Sequence, residues 1–167
     1  MSDLVAGVRA LLDYDPATGM LTWRRRPGAY KGWNERYVGT TAGTRDTHGY
    51  LRVSIHGRQY AAHRLVWAHV HGEWPSGQID HKNGVRDDNR IANLRVATGS
   101  QNQQNIPPRR GSASGIKGVS RNGGRWQAHI RTPGRRIYLG MFKTPEEAGR
   151  AYREAAARLH GEFARIA

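Results

Sequence analysis

The chain has 167 residues, enough for one ordinary domain or two small ones. Its 27 lysines and arginines outnumber 13 acidic residues, and the net charge of +14 predicts a polyanionic partner, nucleic acid ahead of an anionic membrane surface. The absence of cysteine excludes disulfide scaffolds and thiolate zinc sites, and no apolar run reaches the roughly 18 residues of a membrane span. An acidic residue near the N-terminus argues against a secretion signal, so we expect a soluble intracellular protein.

The N-terminal half predicts helix and β-structure in alternation. Helical spacing of apolar residues predicts a helix over 2–12, and turn residues then lead into a strand over 20–23. The polar, glycine-rich segment 24–49 is interpreted as mostly loop. Alternation of apolar and polar residues predicts a hairpin over 51–61, after which the period shifts to that of a helix over 62–71.

A second group of short elements follows. A strand is predicted over 78–80 and a polar loop over 82–90. Residues 91–96 suggest a turn of helix and a short strand, and Ser100 is a candidate cap for a helix over 101–105.

The segment 106–114 holds two prolines, two arginines and several small residues, which is typical of a linker. We therefore predict domains over 1–105 and 115–167. In the second domain, three strands with alternating apolar residues precede a helix capped by Thr144. The predicted fold class is α+β, with a three-stranded antiparallel sheet and one helix forming the second domain.

The sheet face turned away from that helix is polar and basic. Residues 108–167 carry 13 basic and 4 acidic residues, a net of +9. A solvated surface is the simpler interpretation, but like charges on neighbouring strands repel each other, and an anionic ligand would remove that cost. Strands can enter a DNA groove and contact bases and phosphates. The candidate DNA-binding residues are Arg125, Gln127, His129, Arg131, Arg136 and Tyr138.

This segment resembles a known DNA-binding family. The residues "KGVS...GRWQAHIR...RRIYLGMFKTPEEAGRAYREAA" are similar to the plant ethylene-response-type (Apetala-two, ERF) domain over nearly all of 115–166. The resemblance implies that the sheet enters the major groove of double-stranded DNA and that Arg125, Arg131, Arg136 and Tyr138 occupy contact positions. Ser120 stands where plant members usually have arginine, so their target sequence does not transfer.

The adjacent Asp80 and His81, at the end of an apolar run, indicate chemistry. Asp80 on its strand and Asn102 on the following helix would present two oxygen ligands to a hard cation such as Mg²⁺ or Mn²⁺. His81 would face the other way, where a base could activate water. Asn93 would hold the imidazole in one tautomer through its side chain or its backbone carbonyl.

Simpler interpretations exist for each of these residues. An aspartate beside a histidine is usually a surface pair, and an asparagine in a loop usually belongs to a turn. A zinc site from His63, His69, His71 and His81 is disfavoured because cysteine is absent and the spacing suits no single helix face. We interpret His63 as mainly structural.

The whole region resembles HNH homing-type endonucleases of phages, which have the ββα-metal fold. The matching residues, 63–105, are "HRLVWAHVHGEWPSGQIDHKNGVRDDNRIANLRVATGSQNQQN". The resemblance implies that His81 is the general base, Asn93 the middle motif residue, and Asp80 and Asn102 the ligands of one divalent cation, Mg²⁺ or Mn²⁺. The loop residues Arg86 and Arg90 could also reach phosphates.

Together these patterns predict a metal-dependent endonuclease that nicks or cleaves double-stranded DNA, encoded by a phage and acting in the host cytoplasm. One active site per chain favours a nick by a monomer, whereas a double-strand cut would need a dimer. The alternative is a DNA-binding regulator or packaging accessory with little or no nuclease activity. An RNA-binding protein is disfavoured because few exposed aromatic residues are available for base stacking.

Overall fold

The chain divides into two units, Met1–Val96 and Ala97–Ala167, in a computed structural model. The structure describes the backbone of residues 2–165 and the side chains of residues 5–165. Helices and antiparallel sheets occur in both units, which confirms the predicted α+β class. Within the described residues, no helix combines the length and the apolar character that crossing a membrane would require.

Among its described residues, the first unit contains three α-helices and seven short strands, besides a 3₁₀ turn over Ile91–Asn93. In chain order they are α1 (Ser2–Leu11), β1 (Leu12–Asp15), β2 (Met20–Trp23), α2 (Trp33–Tyr37), β3 (Thr44–Arg45), β4 (Leu51–Ile55), β5 (Arg58–Ala61), α3 (Ala62–His71), β6 (Gln78–His81) and β7 (Leu94–Ala97). The strand β7 reaches the first residue of the second unit. The short elements α2 and β3 lie in the segment interpreted as loop, where they are too brief to produce a periodic pattern.

Apolar residues from distant parts of the sequence form the core of the first unit. Val8 and Leu12 from the N-terminal segment, Val53 from β4, and Leu65 and Val66 from α3 are fully buried in one cluster. The strands β1 and β2 form an antiparallel hairpin, and β6 pairs with β7. Asp80 and His81, the last two residues of β6, therefore lie at the edge of this core.

Among its described residues, the second unit contains two α-helices and a three-stranded sheet, besides a 3₁₀ turn over Gly161–Phe163. They are α4 (Gly99–Asn105), β8 (Val119–Asn122), β9 (Arg125–Thr132), β10 (Arg135–Phe142) and α5 (Pro145–His160), with the strand order β10–β9–β8. Residues 106–118 form no helix or strand. The helix α4 lies in the second unit, whereas the sequence suggested a boundary after it; the domain limits 1–105, 106–114 and 115–167 stay a prediction.

The cap of α4 differs from the prediction. Thr98, not Ser100, precedes the helix in an extended conformation. Its Oγ1 accepts a hydrogen bond from the Gln101 N–H at 3.2 Å, and the Gln101 Oε1 accepts one from the Thr98 N–H at 2.8 Å. This reciprocal capping box satisfies two backbone donors, which a cap at Ser100 would not do.

The helix α5 packs against one face of the sheet, as predicted. Ile130 packs with Tyr152, and Ala128 packs with Ala148. The cap at Thr144 is confirmed. Leu159 is 38% exposed, because the buried row of α5 continues to His160 and leaves Leu159 at its edge.

Candidate active site

The buried imidazole of His81 has an asparagine partner that the sequence did not reveal. His81 and Asn89 are 4% and 1% exposed, and His81 Nε2 lies 3.1 Å from Asn89 Oδ1. If Oδ1 is the acceptor, Nε2 carries the proton and Nδ1 is the nitrogen able to accept one. Among the described residues, Asn89 Nδ2 is buried without a hydrogen-bond partner. A buried donor without a partner lowers the free energy of unfolding by roughly 1–3 kcal/mol. Stability alone therefore does not explain the presence of asparagine at position 89.

The environment of His81 favours its neutral form. Burial lowers the pKa of His81 below the ordinary value, and the contact with Asn89 and the charge of Asp80 only partly oppose this effect. A histidine with a lowered pKa is unprotonated at neutral pH. His81 is therefore in the state that a general base requires.

Asn93 closes the loop that follows His81. Its Oδ1 accepts a hydrogen bond from the Asn83 N–H at 3.0 Å, and its Nδ2 donates to the Asp88 carbonyl at 2.8 Å. The backbone carbonyl of Asn93 accepts from the Lys82 N–H at 2.9 Å. The structure thus shows Asn93 bracing the loop that carries Asn89, and a direct role in orienting His81 stays a prediction.

The hairpin β1–β2 supports the same loop from the other side. The Tyr14 hydroxyl accepts a hydrogen bond from the Ile91 N–H at 2.8 Å and donates to the Asn89 carbonyl at 3.3 Å. Gly19, with φ +77°, lies against the backbone of this loop. A Cβ at Gly19 would be 2.4 Å from the Arg90 backbone nitrogen. Asn89 is therefore held by residues about 70 positions earlier in the chain.

Asp80 is buried in an ion pair with Arg95. Arg95 Nε and Nη2 lie 2.8 and 2.7 Å from Asp80 Oδ2, and the two side chains are 5% and 10% exposed for Asp80 and Arg95. Two contacts from one guanidinium fix the orientation of the carboxylate. Asn102 is a half-buried residue of α4 in the second unit, and its pairing with Asp80 as a metal ligand stays a prediction.

The four histidines considered for zinc fall into one adjacent pair and two separate residues. The rings of His63 and His81 are 5.1 Å apart, and Tyr50 contacts both. His69 packs against Tyr14, and His71 packs against Trp67. In the part of the chain that the structure describes, no three His, Cys, Asp or Glu side chains are grouped to hold a metal.

His63, interpreted as mainly structural, lies directly beside the proposed base. Burial, and secondly the proximity of His81, lower the pKa of His63 to about 3. At neutral pH His63 is therefore an uncharged ring in this cluster.

The two loop arginines already have protein partners. Arg86 Nη1 donates to the His48 carbonyl at 2.7 Å, and its guanidinium lies over the Tyr50 ring. Arg90 forms an ion pair with Asp88, with its Nε 2.7 Å from Oδ1. Contact of Arg86 and Arg90 with phosphates stays a prediction, and for Arg90 it would compete with this pair.

The strand register places several of the candidate DNA-binding residues beside one another on the C-terminal sheet. Arg131 on β9 and Arg136 on β10 are directly opposite each other, and both are exposed. Within the described residues, neither forms an ion pair, nor does the exposed Arg125. The rings of His129 and Tyr138 are 5.2 Å apart, and Tyr138 is 56% exposed. An uncompensated arginine pair beside an exposed aromatic ring is suited to an anionic, planar ligand.

One more contact orders this face. Gln127 Nε2 donates to Ser120 Oγ at 3.2 Å across β8 and β9. Ser120, which departs from the plant pattern, orients Gln127 in this chain.

Comparisons with known proteins agree with a resemblance to HNH endonucleases and with one to the Apetala-two type of domain, whereas the homing type stays a prediction. Residues 60–104 match the family described as HNH endonuclease. Dehydration-responsive element-binding protein 2A of Oryza sativa subsp. indica is 50% identical over 48 residues, 28% of this chain and 18% of that protein. The AP2-like ethylene-responsive transcription factor TOE2 of Arabidopsis thaliana is 43% identical over 54 residues, 31% of this chain and 11% of that protein. The chain thus spans less than a fifth of either plant relative.

Over residues 60–104, around the buried Asp80 and His81, the chain thus matches the HNH endonuclease family, and a further region is similar to AP2-type DNA-binding proteins. Protein 3.8 of Escherichia phage T7 is 31% identical to the chain over 107 residues, which cover 62% of this chain and 88% of that protein. The chain belongs to the same family as Protein 3.8.

Proposed function

We propose that the chain is a homing-type HNH endonuclease that hydrolyses phosphodiester bonds in double-stranded DNA. The observation that carries this proposal is the buried His81, paired with Asn89 and next to the ion-paired Asp80, within the HNH match. A neutral, oriented imidazole beside a fixed carboxylate is suited to metal-assisted hydrolysis.

In this proposal His81 is the general base. With Nε2 donating to Asn89, Nδ1 takes a proton from water, the water oxygen attacks phosphorus, and the bond from phosphorus to the 3′-oxygen breaks. Such a base contributes about 10²–10⁴-fold to the rate. We propose that Asn93 maintains the loop geometry on which the contact between His81 and Asn89 depends.

The cation is proposed to be one Mg²⁺ or Mn²⁺ held by Asp80 and Asn102. A carboxylate oxygen and an amide oxygen are hard donors that fit either ion, and Arg95 keeps the carboxylate in one orientation. When bound, the cation would stabilise negative charge on the phosphate and the 3′-oxygen. Because only two protein ligands are proposed, water would complete the coordination shell.

The C-terminal sheet is proposed to hold the DNA. Arg131 and Arg136 would neutralise phosphates, while Gln127 and Tyr138 contact base edges or sugars. We place Arg125 and His129 in the same interface. From the nuclease domain, Arg86 and Arg90 are further candidates for phosphate contacts.

Supercoiled plasmid incubated with Mg²⁺, Mn²⁺ or EDTA tests the activity directly. With either metal we expect nicked circles, because one site per chain would cut one strand. With EDTA we expect no nicked circles, because the proposed cation is removed. Linear product appearing from the start would instead indicate a dimer. His81→Ala should lower the nicking rate by about 10²–10⁴-fold without weakening DNA binding, whereas His48→Ala removes an exposed histidine and serves as the matched control.

The rival function is a DNA-binding protein without nuclease activity, which the similarity to a plant transcription factor favours. It predicts DNA binding with no metal-dependent nicking at any enzyme concentration. Equal rates for the wild-type protein and His81→Ala would show that the measured nicking comes from a contaminant or from another site.

A further inference from the structure

One lysine binds the end of the helix that carries Asn102. Lys117 Nζ donates hydrogen bonds to the carbonyl oxygens of Gln103, Gln104 and Ile106, at 2.9, 2.7 and 2.6 Å. An ammonium group has three donors, and here all three are used. These carbonyls lie at the C-terminal end of α4, where oxygens lack the usual intrahelical donors and the helix dipole favours positive charge. The Gln103 carbonyl also accepts a 3.4 Å hydrogen bond from the Ile106 N–H.

A second basic residue completes this cap. Arg165 Nη1 donates to the Asn105 carbonyl at 3.2 Å. Together with the Lys117 contacts, four successive carbonyls, 103–106, are bonded to cationic side chains from later in the same unit.

The position of Lys117 is also costly to maintain. Burial, and secondly the charge of Arg165, lower the pKa of Lys117 to about 8. Removing an ammonium group from water is unfavourable unless its donors are satisfied. The three carbonyls satisfy them, which ties the position of Lys117 to the position of α4.

The other end of α4 is fixed as well, by the capping box at Thr98. Asn102 lies between the two fixed ends. Lys117 is two residues before β8, the first strand of the sheet proposed to bind DNA.

We propose that Lys117 is a positioning residue that fixes α4, and with it the Asn102 side chain, onto the DNA-binding sheet unit. This inference rests on the proposed function, in which Asn102 is a metal ligand. It adds that Asn102 is held by the same unit that is proposed to bind DNA. The position of the Asn102 side chain therefore depends on the backbone position just before β8. Residues that orient a metal ligand typically change metal affinity or activity by 10–100-fold when mutated.

The test is a Mg²⁺ titration of plasmid nicking by the full chain. Lys117→Met should raise the Mg²⁺ concentration for half-maximal rate by about 10-fold or more, with little change in the Kd for DNA measured in EDTA. Lys143→Met, which removes an exposed lysine from the same unit, is the control and should match wild type. Arg165→Met should show a smaller shift in the same direction, and it replaces Lys117→Met if that variant does not fold.

The absence of native cysteine allows a chemical rescue. Lys117→Cys, alkylated with 2-bromoethylamine while unfolded and then refolded, regains an amine at nearly the lysine position. We expect the Mg²⁺ requirement to return towards the wild-type value, whereas alkylation with iodoacetamide, which adds no amine, should not restore it. A purely structural defect in packing would not respond selectively to the amine.

Asn102→Ala distinguishes a failure of the positioning role of Lys117 from a failure of the proposed ligand role of Asn102. If Asn102→Ala shifts the Mg²⁺ titration and Lys117→Met does not, the positioning role is wrong while the proposed ligand stands. If Asn102→Ala leaves the titration unchanged, the ligand assignment fails and the inference fails with it.

Discussion

His81 Nε2 and Asn89 Oδ1 are 3.1 Å apart, and both side chains are almost completely buried. The contact joins the last residue of β6 to the loop before β7, eight residues later. It determines which imidazole nitrogen holds a proton, and so which nitrogen can take one from water. The chemistry proposed for His81 therefore depends on the position of a loop asparagine.

Asn89→Asp should move the pH dependence of nicking. The base works only when it is neutral, so activity is lost as the pH falls through the pKa of His81. A carboxylate at position 89 would stabilise the imidazolium and raise that pKa, so the acid limb of kcat/KM against pH should shift to higher pH than in the wild-type protein. Asn122→Asp adds the same charge in the other unit and should leave the limb in place. An unmoved limb in Asn89→Asp would count against His81 as the base.

Of the two residues in this contact, His81 could be predicted from the sequence and Asn89 could not. Asp80 and His81 were identifiable because a carboxylate and an imidazole end an apolar strand. Asn89 was not, because "RDDNR" has the composition of an exposed turn, and its burial depends on Tyr14 and Gly19, which are distant in sequence. The C-terminal sheet was predicted more completely, since strand alternation, turns and a helix cap are all local signals.

Gly19→Ala tests whether the β1–β2 hairpin positions that loop. A Cβ at Gly19 would lie 2.4 Å from the Arg90 nitrogen and 2.6 Å from the Asn89 carbonyl carbon, so the loop must shift. Gly39 has nearly the same φ, +78°, with nothing within 4 Å of the added Cβ. Gly39→Ala should therefore cost only the backbone strain, roughly 1–2 kcal/mol, as measured by urea unfolding.

Gly19→Ala should lose more unfolding free energy than this control and should also lower the nicking rate under conditions where the variant is folded. Equal unfolding free energies for the two alanine variants would show that the loop accommodates the methyl group and that the close approach is unimportant.

His63 should make stability depend on pH. Its pKa is about 3 in the folded chain, against the ordinary value of 6.5, so between these values the unfolded chain binds a proton that the folded chain does not. The unfolding free energy should thus fall as the pH is lowered from 6.5 towards 3, by up to about 1.4 kcal/mol per pH unit from this group. His63→Phe should flatten that dependence in urea unfolding between pH 7 and 4, whereas His48→Phe should not. Parallel pH curves for wild type and His63→Phe would contradict the lowered pKa.

The opposed arginines of the C-terminal sheet should control the salt dependence of DNA binding. Each phosphate contact contributes about 0.9 to the slope of log affinity against log salt. The double variant Arg131→Gln, Arg136→Gln should therefore reduce the slope by nearly the contribution of two phosphate contacts. Its loss of affinity relative to wild type should be greatest at low salt. Arg150→Gln with Arg158→Gln removes the same charge from exposed positions of α5, on the opposite side of the sheet. Fluorescence anisotropy with labelled duplex DNA measures both variants. Because total charge is equal, a larger loss in the sheet variant would assign the contacts to this face, and equal slopes would indicate a diffuse effect of net charge.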